Sequence, residues 1–399
     1  MGELEEFSES LIAQLEIELN EEKEIKDLTE RIKEDPSFSI KFDSLEQISE
    51  NIFSGMKEKI NDFTGISVSP QTSIKYPDLD DFKKLKGKKV FAASNGGKFV
   101  EELFEAVSKK DTRKISSLIE QDAAKYFVYS TYAIQYLSKI STTYGDYLDN
   151  VIYLNKFVLS SYPQIILYRQ GKPYEPKFES IKSGYVGALK MTILEEMIHS
   201  IQENLQEMNK NAARSVNAIN EELAKIILGL DDKTVANLSE YLQLQAVPDN
   251  FPIAKRANLF FMLNPDNFIV NVLGPDVMTF TRVEIDPKIS ETVPQLLDIY
   301  QRWLKPIQAH HAAFTTMEGM AEFIVQNMLK DDADFLHYLT SFVGTDISSY
   351  QVRKSLGKDF TKIVFEKFGK KTFKILIDDP PSTKELKEPT LYLKRKSSI

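Results

Sequence analysis

Two short stretches of this sequence carry the residues best suited to chemistry. In the first stretch, Leu194 to Gln202, Glu195 and His199 are four residues apart and Glu196 lies between them. On an α-helix, residues at i and i+4 stack on one face, so two carboxylates and an imidazole would share one turn. Apolar residues surround this group, which predicts partial burial. Buried charges of this kind need a cation or hydrogen-bonding partners.

The second stretch, Thr315 to Phe323, contains Glu318 followed directly by a glycine, with Glu322 one helical turn later. The chain has no cysteine, so a metal site must be built from histidine and carboxylate side chains. The four histidines available are His199, His310, His311 and His337. Any metal bound beside the first stretch would therefore need histidine or carboxylate ligands.

The pattern Glu195-Glu-Met-Ile-His199 resembles the active-site helix of the gluzincin metallopeptidases. In that family the motif H-E-x-x-H places two histidine ligands around a glutamate base, and here a glutamate stands at the first histidine position. Glu318, followed by glycine, is similar to the family's third ligand on a later helix. Three later segments look like the closing helices and tail of uncharacterised members, namely Gly357 to Phe360, Phe365 to Gly369 and Pro380 to Tyr392. The tail has Glu388 where a histidine is common.

The resemblance covers roughly Asn150 to Leu393 and implies a role for each matching residue. Glu195, His199 and Glu318 would hold a divalent metal, and Glu196 would take a proton from the attacking water. Glu322 would occupy the position from which a carboxylate orients a metal-bound imidazole. Since Glu195 replaces that imidazole, the two carboxylates would repel each other unless Glu322 turns elsewhere.

The exchange of histidine for glutamate changes the expected metal. Two carboxylates and one imidazole form a harder ligand set than the usual zinc peptidase site, which favours manganese or iron beside zinc. The extra negative charge also weakens the Lewis acidity of the metal. The resemblance therefore implies slow or lost peptidase activity.

Three functions remain open from the sequence. The first is a metal-dependent hydrolase of peptides or proteins. The second is a non-catalytic interaction or scaffold protein on a peptidase fold, in which the same helix face is a hydrogen-bonded cluster without metal. The third is a helical protein with a carboxylate-bridged dimetal site, because Glu196 and His199, like Asp334 and His337, have the i, i+3 spacing of such sites.

The remaining histidines have separate expectations. If the helix through Glu318 begins near Pro306, His311 lies two turns before Glu318, about 10 Å away, and cannot bind the same metal. His311 is a candidate catalytic residue that polarises a substrate carbonyl, and the alternative is a structural histidine at a helix end. His337 is expected on a helix surface.

These residues need a scaffold, and the pattern predicts an α+β, mainly α-helical fold, with the resemblance adding a zincin-like scaffold and a small sheet. Residues 1–90 are interpreted as an N-terminal helical region and linker, and residues 91–399 as the metallopeptidase-like body. Helices are predicted at Leu45 to Phe63, through residues 98–160, and from Gly184 to Leu228 with a turn in the middle. A linker is predicted at Ser67 to Lys89, and strands at Gln164 to Arg169, Asn267 to Val272 and Met278 to Glu284.

The charge and the apolar pattern of the sequence indicate which classes of binding partner to expect. Residues 1–35 hold thirteen acidic and four basic residues, and apolar residues recur there at helical spacing, so an amphipathic helix is predicted. Its apolar stripe would pack on the same chain or bind a protein partner. The net charge of −9 argues against nucleic acid. The acidic beginning of the sequence and the lack of a long apolar stretch argue against a membrane protein and favour the cytoplasm.

Overall fold

The computed structural model describes residues 2–19, 22–27, 30, 43–140, 143–160, 178–248, 250–266, 280–341 and 349–397. Within these ranges the chain is mainly helical and contains one three-stranded sheet. The expectation of a mainly helical α+β chain with a small sheet is confirmed. None of the described helices is long and apolar enough to cross a membrane.

The first half of the chain is built from short helices with clear start signals. Ser44, Asp78, Asp111 and Asp122 each accept a hydrogen bond from the backbone N–H three residues later, which satisfies a donor that the first helical turn leaves unpaired. The helices are α1 (Glu3–Glu18), α2 (Leu45–Thr64), α3 (Leu79–Ala92), α4 (Lys98–Ser108), α5 (Thr112–Gln121) and α6 (Ala123–Ser138). The predicted helix at Leu45 to Phe63 is therefore confirmed.

The second half contains the two longest helices of the described chain, α8 and α12. Its elements are α7 (Phe178–Ser200), α8 (Glu203–Leu228), α9 (Asp232–Tyr241), α10 (Pro252–Leu263), α11 (Pro287–Thr292), α12 (Gln295–Leu329), α13 (Ala333–Ser341), α14 (Ser349–Phe368), α15 (Lys371–Asp378), α16 (Thr383–Lys387) and α17 (Pro389–Ser397). The break between α7 and α8 confirms the turn predicted within residues 184–228.

The sheet consists of β1 (Ser73–Lys75), β2 (Gly145–Leu148) and β3 (Val151–Leu154) in the order β1-β3-β2. β3 pairs in parallel with β1 and antiparallel with β2. Asp149 and Asn150 join β2 to β3 with positive φ angles of 51° and 63°, the backbone of a tight two-residue hairpin. The prediction of helices throughout residues 98–160 was wrong here, because this turn signal was overlooked.

Two further predictions need correction. The segment 67–89, expected to be a linker, supplies β1 and most of α3, since Asp78 caps a helix that follows Pro77. The helix through Glu318 begins at Gln295 rather than near Pro306, and Pro306 lies inside it. Buried apolar residues lie on both sides of the proline, Leu296 and Trp303 before it and Ile307 after it, and their packing stabilises the helix across Pro306.

Most of the residues in the three predicted strands lie outside the part of the chain that the structure describes. Gln164 to Arg169 and Asn267 to Val272 lie outside the described residues, as do the first two residues of the third predicted strand. Residues 280–284 of that strand are described and form no strand.

One continuous hydrophobic core runs from α1 to α17. Helix α7 lies within it and packs against α2, α12, α13 and β2, while α12 also packs against α8 and α14. Helix α1 forms as predicted and packs on α5, α6 and α10 of the same chain, with Leu11 and Leu15 buried. The fold thus brings α7, α12 and α14 side by side.

Candidate metal centre

The two stretches selected from the sequence meet where α7 packs against α12. Ile193, Leu194, Met197 and Ile198 are fully buried and fix the orientation of the last turns of α7. Glu195, Glu196 and His199 therefore lie at the margin of the core, where they are only partly exposed. Glu318 lies on the facing side of α12 and is 7% exposed.

Glu195, His199 and Glu318 form a compact ligand group. Each offers one ligand atom, and these atoms lie within 4.8 Å of one another. The distance from His199 Nε2 to Glu318 Oε1 is 3.8 Å. Two ligands bound at about 2.0–2.2 Å to one cation can be at most roughly 4.4 Å apart, so this pair fits a shared metal. Among the described residues, this is the group whose side chains could hold a metal ion.

Gln202 fixes which nitrogen of His199 faces Glu318. The Gln202 Nε2 amide donates to the carbonyl oxygen of Met317 at 2.9 Å, so its Oε1 must face His199. The His199 Nδ1 lies 2.8 Å from this Oε1 and must therefore donate its proton to it. In the neutral imidazole the lone pair is then on Nε2, the atom that faces Glu318, which is the tautomer that a metal ligand requires.

Lys354 of α14, a third helix, contacts one member of this ligand group, Glu195. Its Nζ donates a hydrogen bond to Glu195 Oε1 and lies 3.5 Å from Glu322 Oε2. Lys354 is only 8% exposed. The repulsion expected between Glu195 and Glu322 is therefore offset by a buried ammonium between them. Sequence reasoning missed Lys354, because a single lysine in an amphipathic helix carries no signal of its own.

A close crossing of α12 and α14 positions this lysine. Gly319 and Gly357 face each other, and a Cβ atom on Gly319 would clash with the backbone of Gly357. A Cβ atom on Gly357 would in turn clash with the carbonyl oxygen of Thr315. The two glycines therefore allow the helix backbones to touch, so that Lys354, one turn before Gly357, reaches Glu195 and Glu322.

The two adjacent carboxylates of α7 have opposite pKa shifts. Burial acts to raise the pKa of Glu195, but the charges of Lys354 and His199 outweigh it and hold that pKa below its ordinary value. For Glu196, burial dominates and raises the pKa, although His199 and Lys89 act against it. A raised pKa in a carboxylate beside a ligand group suits a general base.

A pair of lysines from α3 lies on the Glu196 side of the site. Lys86 and Lys89 both donate to the carboxylate of Asp146 in β2. Burial lowers the pKa of Lys86, and burial together with the charge of Lys86 lowers the pKa of Lys89 to about 8. Both lysines also interact electrostatically with Glu196 and Glu318. These lysines were not predicted as part of a site, because their segment was interpreted as a linker.

Strand β2 borders the site at Gly145. A Cβ atom there would come within 3.4 Å of Glu196 Cγ and would clash with Thr192, so the strand lies directly against α7. The small sheet therefore forms one wall beside Glu196.

His311 lies away from the ligand group. It is 1% exposed, and its Nδ1 is 3.3 Å from Arg353 Nη1. Arginine can only donate, so Nδ1 accepts and the neutral ring carries its proton on Nε2. Burial and the charge of Arg353 lower the pKa of His311 to about 2 and that of His310 to about 4. His311 lies in the middle of α12 and not at the helix end that the structural alternative expected. The catalytic role of His311 stays a prediction.

The second i, i+3 pair does not join the site. Asp334 accepts hydrogen bonds from Ser183 and Lys190, and His337 Nδ1 is 2.7 Å from Ser183 Oγ. His337 is exposed, as predicted. Within the described residues, neither belongs to the group that could hold a metal, and the dimetal alternative stays a prediction.

Comparison with known proteins identifies no relative: no family model, no curated protein and no solved structure matches this chain. The function is therefore argued from the site itself.

Proposed function

We propose that this protein is a divergent gluzincin-type, metal-dependent hydrolase that acts on amide bonds in peptides or proteins. Glu195, His199 and Glu318 would hold one divalent cation, and Glu196 would act as the general base. The observation that carries this proposal is the proximity of the three ligand atoms, within 4.8 Å of one another, with His199 Nε2 facing Glu318. A zincin-like scaffold for the body is part of the same proposal.

The donor set fits a divalent cation. Two carboxylates and one imidazole provide three ligands of the types that zinc, manganese and iron accept. Gln202 orients the imidazole and keeps the proton on Nδ1, which leaves Nε2 as the ligand atom. When bound, the cation would supply a Lewis acid beside Glu196 and an open position for water.

Glu196 would handle the proton in hydrolysis. Its carboxylate would take a proton from the water whose oxygen forms a bond with the carbonyl carbon of the substrate. It would then return this proton to the amide nitrogen as the C–N bond breaks. The raised pKa of Glu196 supports both steps, because the proton is then held more firmly than on an ordinary carboxylate.

The substitution Glu196→Gln tests this mechanism. We expect it to abolish cleavage of a casein peptide mixture, read by mass spectrometry, while zinc and manganese binding measured by calorimetry is retained. His199→Leu should abolish both. The control is Glu203→Gln, which makes the same change at an exposed position in the first turn of α8 and should alter neither. Cleavage by Glu196→Gln at the wild-type rate would exclude Glu196 as the base.

A second candidate function, a non-catalytic protein on the same scaffold, is favoured by one contact. The ammonium of Lys354 already neutralises Glu195, so the charge of this carboxylate is compensated without a metal. This candidate predicts no metal binding and no cleavage by the wild-type protein in the same two assays.

A further inference from the structure

Lys354 provides a positive charge where the proposed metal would also sit. Its ammonium donates to Glu195 Oε1, and Glu195 is one of the three proposed ligands. The lysine is 8% exposed, so its charge depends on protein partners rather than on water. Lys354 and a divalent cation would therefore use the same carboxylate.

A divalent metal and the Lys354 ammonium repel each other when both bind Glu195. A divalent cation and an ammonium bound to one carboxylate would be only a few ångströms apart, and their repulsion is strong in a partly buried site. An ammonium that stays on Glu195 therefore weakens metal binding, and its movement away from Glu195 strengthens it.

Glu322 offers the ammonium a second partner. Its Oε1 accepts a hydrogen bond from Gln326, and its Oε2 is 3.5 Å from Lys354 Nζ. A charge-assisted hydrogen bond is about 2.8 Å long, so a shift of less than about 1 Å would complete it. The close crossing at Gly319 and Gly357 holds the backbone of α14 in place, which confines this movement to the side chain.

We propose that Lys354 is an internal cation that competes with the divalent metal for Glu195, and that Glu322 receives its ammonium when the metal binds. This inference rests on the metal site proposed for Glu195, His199 and Glu318. It also gives a physical role to the carboxylate at position 195. A neutral histidine there would take away the carboxylate to which the buried ammonium donates.

Zinc and manganese titrations of four proteins test the proposal: the wild type, Lys354→Met, Glu322→Gln and the double variant. Lys354→Met removes the competing charge, so its metal affinity should rise at least tenfold. Glu322→Gln removes the second partner of the ammonium, and its affinity should fall at least fivefold. In the double variant the effect of Glu322→Gln should disappear, because no ammonium remains to be received.

Matched variants guard against indirect effects. Lys362→Met removes an exposed positive charge from the same helix, and its metal affinity should stay within twofold of the wild type. Thermal melting establishes that each variant folds. If Lys354→Met does not fold, Lys354→Gln replaces it, with the same expected direction.

The outcomes separate this inference from the proposed function. If the wild type binds metal and Lys354→Met binds it no more tightly, competition by Lys354 is overturned while the metal site stands. If Glu322→Gln weakens binding equally with and without Lys354, Glu322 acts only through its charge and its role as a receiver is overturned. If neither the wild type nor Lys354→Met binds metal, the metal site itself is wrong.

Discussion

At the scale of single residues, the site depends on hydrogen bonds that select one protonation state. Gln202 links the end of α7 to the backbone of α12, through His199 on one side and Met317 on the other. This bridge fixes the ring of His199 beside Glu318 and leaves the lone pair of the neutral ring on Nε2. The position of the proton on His199 thus follows from an amide that cannot turn around without losing its bond to Met317.

Asp266, outside the candidate metal centre, is a residue whose pKa is raised by burial. Burial raises its pKa to about 6, although Trp303, Asn220 and Tyr132 donate hydrogen bonds that act against this rise. Between about pH 4 and 6 the folded protein therefore holds a proton that the unfolded chain has released. Stability contributed by the neutral carboxyl is present below that window and is lost as the pH rises through it.

The substitution Asp266→Asn should remove this dependence on pH. We expect the difference in unfolding free energy between the variant and the wild type to shift in favour of the variant by about 2 kcal/mol from pH 4 to pH 7. Urea unfolding at both pH values measures it. A difference that is the same at both values would show that Asp266 is ionised throughout.

At the scale of elements, the glycine crossing of α12 and α14 decides where Lys354 lies. Gly357→Ala would insert a methyl group against the carbonyl oxygen of Thr315 and force the helices apart. We expect a loss of at least about 2 kcal/mol of unfolding free energy from this overpacking. Circular dichroism in urea measures it.

Gly55→Ala is the matched control for this substitution. Gly55 lies inside α2 and a Cβ atom there would meet open space. Its replacement should stabilise the protein by about 0.5–1 kcal/mol, because alanine has the higher helix propensity. Equal effects of the two substitutions would contradict a tight crossing at Gly357.

The same crossing shows how far the sequence predicts the site. Glu195 and His199 lie one helical turn apart, and the resemblance added Glu318, so the ligand group could be predicted. Lys354 could not, because it is 159 residues from Glu195 and reaches it only where α12 and α14 touch. Lys86 was not predicted because its segment was interpreted as a linker, and its partner Asp146 lies in the β2–β3 hairpin that was expected to be helix.

At the scale of the whole molecule, the N-terminal helix belongs to the same packed body as the site. Leu15 of α1 is 1% exposed, whereas Ile17 on the same helix is 69% exposed. The surface on which α1 packs could not be predicted from the sequence. The spacing of apolar residues shows which face of a helix is apolar but not which part of the protein covers that face. Here α5, α6 and α10 cover it.

Leu15→Ala tests this packing within the full chain. We expect it to lower the unfolding free energy by about 2–5 kcal/mol, since it leaves a cavity in the core. Ile17→Ala, two residues away, should change it by less than about 0.5 kcal/mol. If both variants were as stable as the wild type, α1 would be free to bind a partner instead.

We propose that residues of α7 and α12 together bind one divalent cation. Anomalous diffraction from crystals grown with zinc tests it most directly. We expect one peak about 2.0–2.2 Å from an atom of each of Glu195, His199 and Glu318, with the Lys354 ammonium on Glu322. Zinc bound elsewhere, or no peak while Lys354 stays on Glu195, would contradict it.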